Sequence, residues 1–148
     1  IKIPMKLIKS VRQITKIILH CSATPEGRDV DASDITRWHK NKGWRTNGYH
    51  YIIKLDGTIE EGRSVQMVGA HTIGHNVGSL GVVYAGGCDK DMNPKDTRTP
   101  EQDIALTNLL SALLDMYPIA ALHGHNEFSN KACPSFDVQE EYKFLINK

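Results

Sequence analysis

The first readable pattern is an apolar run. Ile14, Ile17, Ile18 and Leu19, interrupted only by Thr15 and Lys16, form a β-branched and aliphatic stretch that predicts a buried strand over 14–21 with His20 near its end. Pro25-Glu26-Gly27-Arg28-Asp29 reads as a loop. Asp31 or Ser33 then caps a helix in which Ile35 and Trp38 lie one turn apart, reaching about Lys42 before Gly43. The period drops to two over 49–55, where Tyr49, Tyr51 and Ile53 face one side and His50, Ile52 and Lys54 the other. Asp56-Gly57 joins this stretch to 58–60 as a hairpin. Gly69, Gly74, Gly78 and Gly81 follow, with His71, His75 and Asn76 between them, a segment in which backbone can approach a ligand closely and polar side chains can line a cleft rim.

Residues 80–85 predict a central strand buried on both faces and stopped by Gly86-Gly87. Thr99-Pro100-Glu101-Gln102 is a helix start, with Thr99 as N-cap, Pro100 in the first turn and Gln102 closing a capping box. Leu106, Leu109, Leu110, Leu113, Leu114 and Tyr117 then repeat at helical spacing up to Pro118. A short strand at 119–122 and a last amphipathic helix from Asp137, with Val138, Tyr142 and Leu145 on one face, complete the chain. Strands and helices alternate around one early hairpin, so the predicted fold is α/β: one domain over 1–148, core about 14–146, with a mixed, mostly parallel central sheet flanked by helices on both faces. No repeat, linker or low-complexity tract divides it.

Composition narrows the function classes. At 148 residues, 40% hydrophobic and 24% charged, the chain fits one soluble globular domain. A formal net charge of +1 provides no bulk electrostatic drive toward nucleic acid or anionic membrane. No run approaches the roughly 18 apolar residues of a membrane helix, and the opening residues 1–10 are too broken by lysine for the apolar core of a signal peptide. The three cysteines, Cys21, Cys88 and Cys133, cannot all pair internally.

The chemistry concentrates in His123-Gly124-His125-Asn126-Glu127-Phe128-Ser129-Asn130-Lys131-Ala132-Cys133-Pro134-Ser135-Phe136, whose Gly, Asn, Ser and Pro content marks a loop. His125 and Cys133 offer the nitrogen and sulfur that zinc prefers. His20 is the best third ligand, because a histidine at the end of a buried strand is held rigidly. Three protein ligands leave a fourth tetrahedral position open, as in catalytic zinc sites. His123, His39 and His71 are the competing histidines, and His50 and His75 read as solvated. With Cys133 on the metal, Cys21 and Cys88 read as buried thiols, Cys21 pointing to the strand face opposite His20; a Cys21–Cys88 bond stays open for a protein working outside the cytosol.

His20 at its strand end, Gly48-Tyr49-His50-Tyr51-Ile52-Ile53, Glu61-Gly62-Arg63, Val68-Gly69-Ala70-His71, Ser79-Leu80-Gly81-Val82 and His125 through Lys131-Ala132-Cys133-Pro134 together resemble the zinc-dependent N-acetylmuramoyl-L-alanine amidases. That family includes small phage amidases called lysozymes and the peptidoglycan recognition proteins. The resemblance spans roughly 14–137, and the Lys-Ala-Cys-Pro-Ser-Phe run after a histidine is its most specific part. It implies one Zn²⁺ per chain on His20, His125 and Cys133, Tyr49 and Lys131 as catalytic residues, and His71 facing bound substrate. Glu127 is expected either to orient a ligand histidine or to act as the base. Tyr49, a neutral Lys131, Glu127 and hydroxide on the metal all stand as candidates for the group that takes the proton.

The implied reaction is cleavage of the amide joining N-acetylmuramic acid to L-alanine of the stem peptide. The implied partner is peptidoglycan, met in the periplasm or outside the cell, with no nucleic acid and no membrane, by a monomer without a separate cell-wall-binding module. Two alternatives accompany this reading: a peptidoglycan-binding protein without activity, in whose homologues the cysteine ligand is typically lost, and an amidase that also restrains a phage RNA polymerase. No evident carboxylate pair supports glycoside cleavage.

Overall fold

The central strand β1 (Lys16–Cys21) is paired on both sides in the computed structural model, which describes residues 5–147. It runs parallel to β5 (Ser79–Tyr84), with Ile18 opposite Gly81 and His20 opposite Val83, and parallel to β7 (Ala121–Gly124), with Ile18 opposite His123. β3 (Tyr51–Ile53) adds to the other side of β5, again parallel, and β4 (Ile59–Glu61) closes the hairpin as the one antiparallel member. The order is β4-β3-β5-β1-β7. Beside it, β2 (Thr24–Pro25) and β6 (Gly87–Cys88) make a two-stranded sheet.

Strand periodicity divides the buried residues between two cores. Ile17, Leu19, Leu80, Val82, Tyr51 and Ile53 point to the face covered by Leu106, Leu109, Leu110 and Leu113 of α2 (Pro100–Met116) and by Val138 and Leu145 of the short helices α3 (Val138–Glu141) and α4 (Lys143–Ile146). Ile52 and Val83 point the other way, against Ile35 of α1 (Ala32–Asn41). The mixed, mostly parallel sheet with helices on both faces is therefore as the alternation predicts.

Both long helices begin with reciprocal caps. Asp31 accepts from Asp34 N–H at 2.8 Å while the Asp34 carboxylate accepts from Asp31 N–H at 3.2 Å. Thr99 and Gln102 exchange the equivalent pair at 3.1 and 2.9 Å, and Thr99 Oγ1 also donates to the Leu55 carbonyl at 2.6 Å. Just before this cap, Arg98 is only 8% exposed; it bonds Asp96, Asp103, Glu141 and the Tyr142 hydroxyl at 2.8–3.0 Å and lies 3.8 Å over the Phe136 ring. That one guanidinium joins the start of α2, the terminal helices and the end of the 123–136 loop, using the fork geometry that arginine alone supplies.

Three readings of the sequence need correction, and one strand pair went unread. β3 starts at Tyr51, so Tyr49 is outside the strand, and its ring packs with the α1 core rather than beside Tyr51. The final helix breaks into α3 and α4 around Tyr142, whose φ of −116° interrupts the turn. The strand expected at 119–122 is shifted to Ala121–Gly124, which brings it directly into His125. The β2–β6 pair is too short, at two residues each, to leave any periodicity. Residues 1–4 of the opening segment lie outside the described residues.

Replacing Thr99 by Ala removes an N-cap acceptor and a long-range donor together. The expected cost is about 1–2 kcal/mol, a fall in Tm of roughly 3–8 °C, read by thermal unfolding followed at 222 nm; an unchanged Tm would show that the cap does not anchor α2.

Candidate metal centre and active site

The parallel pairing of β7 with β1 decides where the histidines go. His20, 1% exposed, is the next-to-last residue of β1, and β7 leads straight into a 3₁₀ turn, His125–Glu127, so two imidazoles meet at one edge of the sheet with ring centroids 4.6 Å apart. The following loop folds back over β1 until Cys133 Sγ accepts from Cys21 N–H at 3.1 Å. The loop is held there by Asn126, which donates to the Phe136 carbonyl at 3.1 Å, and by the Tyr84 hydroxyl, which donates to the Pro134 carbonyl at 2.6 Å. Ser135 Oγ adds a bond to the Gly87 carbonyl at 2.7 Å.

His20, His125 and Cys133 each present one ligand atom, and these lie within 4.8 Å of one another. His20 Nδ1 is 3.8 Å from Cys133 Sγ, close to the spacing of about 3.5 Å that Zn–N and Zn–S bonds of 2.0–2.3 Å impose at a tetrahedral ion. Burial pushes His20 well below the usual imidazole range, and neighbouring His71, His125 and Lys131 push the same way. Burial, then Lys131, also lowers His125. Both rings are thus neutral and keep a lone pair. Contact with the Cys21 thiol and burial push Cys133 up, so its thiolate form needs a cation beside it. Two neutral imidazoles and a thiol that ionises only next to a cation fit zinc by donor type and by spacing.

Around this cluster the other predicted residues fall into two groups. Tyr49 is close, its ring edge-on to His20 at 5.0 Å. Burial raises its phenol, followed by the charges of Cys133 and Cys21, so the hydroxyl keeps its proton and acts as a donor near neutral pH. Lys131 is exposed on the loop, and its positive charge reaches all three members of the cluster.

Two residues sit differently from expectation. His71, expected to face substrate, is 9% exposed and places Nδ1 2.9 Å from His20 Nε2, behind the cluster. Glu127 was expected to orient a ligand histidine or serve as base, but its carboxylate is taken up by His123 Nδ1 at 2.9 Å, Gly124 N–H at 2.7 Å and Gln139 at 3.1 Å. None of these belongs to the triad. Burial pushes the Glu127 carboxyl up, but the hydrogen bonds from His123, Gly124 and Gln139 outweigh it and hold the group below its ordinary value, which makes it a weak base.

The remaining histidines are structural. His39 Nδ1 accepts from Gly48 N–H at 2.7 Å and its ring packs at a tilt against Trp44, and His75 stacks on Phe128 at 4.1 Å. His50, read as solvated, is 1% exposed: Nδ1 accepts from Gly81 N–H at 3.0 Å, which leaves Nε2–H to donate to the Met67 carbonyl at 2.9 Å. Cys21, Cys88 and Cys133 are all unbonded thiols. Sequence reasoning missed Thr72 and gave no role of its own to Ser79, and it named Asn76 only as a polar residue of the glycine-rich cleft rim; all three surround His71. Asn76 Oδ1 accepts from both His71 N–H and Thr72 N–H at 2.9 Å, fixing the loop under His20.

Residues 10–136 match the family model described as N-acetylmuramoyl-L-alanine amidase. The chain belongs to that family. It is 46% identical to the endolysin of Escherichia phage T7 over 123 residues, 83% of this chain and 82% of the relative. It is 43% identical to the endolysin of Enterobacteria phage K11 over 132 residues, 89% and 87% of the two chains. Among solved structures, the N-acetylmuramoyl-L-alanine amidase LysC from Clostridium intestinale URNW superposes with a TM-score of 0.79 at 29% identity, covering 92% of this chain and 87% of that one. The amidase fold and the N-acetylmuramoyl-L-alanine amidase activity follow for this chain, with the His20, His125 and Cys133 cluster at the edge of its sheet.

The burial of His50 predicts acid sensitivity for this amidase. Burial lowers its pKa to about 4, against 6.5 for an unperturbed imidazole. Between those values the unfolded chain binds a proton that the folded chain refuses, so stability is full above pH 6.5 and falls as pH drops toward 4, by up to about 1.4 kcal/mol per pH unit. Urea unfolding with chelator present should show a lower midpoint at pH 5 than at pH 7, and His50→Gln a shallower dependence. Equal midpoints at the two pH values would contradict the buried neutral ring.

Proposed function

We propose that this amidase works with one Zn²⁺ on His20, His125 and Cys133, cleaving the bond between the lactyl group of N-acetylmuramic acid and L-alanine and so detaching stem peptides from glycan. The observation that carries this is the convergence of two neutral imidazoles and one thiol, with His20 Nδ1 3.8 Å from Cys133 Sγ. When bound, zinc supplies a Lewis acid for the scissile carbonyl and lowers the pKa of a water molecule toward about 7.

The chain's own residues supply the rest. Lys131 is the cationic donor for the oxyanion that develops as the amide carbon becomes tetrahedral; a donor that meets charge present only in the transition state accelerates the step without tightening ground-state binding. Its charge already lowers His20 and His125, which supports its closeness to the reacting centre. Tyr49 holds its proton and so orients the attacking water or shares the oxyanion as a second donor. Glu127, committed to His123 and Gly124, fixes the turn that carries His125 and does not serve as base. One chain carries the whole set, so a monomer suffices. Peptidoglycan is the partner and the cell wall the place of action, as for the phage endolysins the chain is similar to.

Purified peptidoglycan should release stem peptides beginning at L-alanine, lose that release in chelator and regain it with zinc. His125→Ala and Cys133→Ser should lose zinc and activity together, while Lys131→Ala keeps stoichiometric zinc and loses about 10²–10³ in turnover. A fully active His125→Ala protein would remove the triad, and a fully active Lys131→Ala protein its role as oxyanion donor.

A further inference from the structure

Ser79, His71 and His20 form a hydrogen-bonded line whose far end is fixed by a main-chain acceptor. Ser79 Oγ lies 3.1 Å from the Asn76 carbonyl, which can only accept, so the hydroxyl proton is directed there. Ser79 Oγ is also 3.3 Å from His71 Nε2. With its own proton committed, that oxygen accepts, and His71 carries its proton on Nε2. His71 Nδ1 is left with a lone pair, 2.9 Å from His20 Nε2. A neutral His20 must then place its single proton on Nε2 to make this bond, which frees Nδ1. Thr72 Oγ1, 3.0 Å from His71 Nδ1 and 3.3 Å from His20 Nε2, is compatible with this direction, since its oxygen can share the proton on His20 Nε2.

The His71 ring has no room to turn. A Cβ at Gly81 would lie 2.7 Å from its Cγ and Cδ2, and one at Gly69 would lie 2.6 Å from Cδ2. Neither glycine has a left-handed φ, so both are needed for space and not for conformation. Asn76 holds the main chain on either side of the His71–Thr72 peptide.

We propose that His71 is a positioning residue: through Ser79 and the Asn76 carbonyl it selects the Nε2–H tautomer of His20 and thereby presents Nδ1, the atom facing Cys133 Sγ, to the metal. The inference rests on the assignment of His20 to the zinc triad. Partners of this kind fix both the tautomer and the ring orientation of metal-binding histidines, and their loss typically costs 10–100-fold in affinity.

Two measurements test it. Long-range ¹H–¹⁵N correlation of the imidazoles in metal-free wild-type protein at neutral pH should show His20 and His71 both protonated at Nε2; a proton on His20 Nδ1 would overturn the proposal. Zinc affinity from chelator competition should fall about 10–100-fold in His71→Leu and be largely restored in His71→Asn, whose Oδ1 stands where Nδ1 was. A folded His71→Leu protein with wild-type affinity would also overturn it. If His71→Leu does not fold, the wild-type spectrum decides alone. If wild-type protein takes up no zinc, the triad assignment fails, while the spectrum still decides the tautomer.

Discussion

Everything in the site depends on β1 being hydrogen-bonded on both sides in the same direction. Parallel pairing with β5 and β7 aligns the carboxyl ends of three strands, the place where open α/β sheets commonly bind ligands. β1 is buried and laddered on both sides up to Leu19, and His20 continues the ladder to Val83 of β5, so it cannot slide without breaking that pairing. The 123–136 loop then needs only to be pinned, by the Cys21 N–H to Cys133 Sγ bond and by the anchors at Pro134, Ser135 and Phe136, for three ligand atoms to converge. Rigidity comes from the sheet and chemistry from the loop.

The electrostatics of the two imidazoles and of Tyr49 follow from burial more than from specific charges. Removing imidazoles and a phenol from water favours their neutral forms, and contact with the Cys21 thiol, then burial, does the same for Cys133, so the cluster is poised as a set of neutral donors and lone pairs. A divalent ion reverses the preference of the thiol alone, since thiolate is the form that binds it. Lys131 stays at the exposed rim, where its charge costs little to maintain and still acts across the short distance to the site. Arg98 shows the opposite solution, a nearly buried cation matched by three carboxylates and an aromatic ring.

Much of this was legible in the sequence, for reasons that differ by element. α2 declared itself because a capping box is a local motif, readable from Thr99 with Gln102, whereas α1 was readable from a cap candidate at Asp31 or Ser33 and the spacing of Ile35 and Trp38, its Asp31–Asp34 box appearing only in the structure. His20, His125 and Cys133 were readable because ligand types are few and a strand end followed by a loop is a recognisable setting. His50 and His71 were misplaced because burial of a polar ring depends on partners distant in the chain: Gly81 and Met67 for one, His20 and Ser79 for the other. Glu127 was misassigned because spacing alone could not tell His123 from His125 as its neighbour. Tyr49 was placed near the site by the family motif, and its ring does lie against His20, while the alternation that set it on one face with Tyr51 fails because the strand begins only at Tyr51.

His20 and Cys133 are separated by 113 positions in the chain. Every residue from β1 through the 123–136 loop must therefore leave the ribosome before the cluster can assemble, and a product truncated anywhere before the loop retains only His20 of its three members. Synthesis runs at about 5–20 residues per second and N-terminal parts emerge first, so β1 waits several seconds for both of its parallel neighbours to be available. During that interval His20 stands without the other two members of its cluster. The cluster is completed in a single late step, once the chain has been read through to the end of the 123–136 loop.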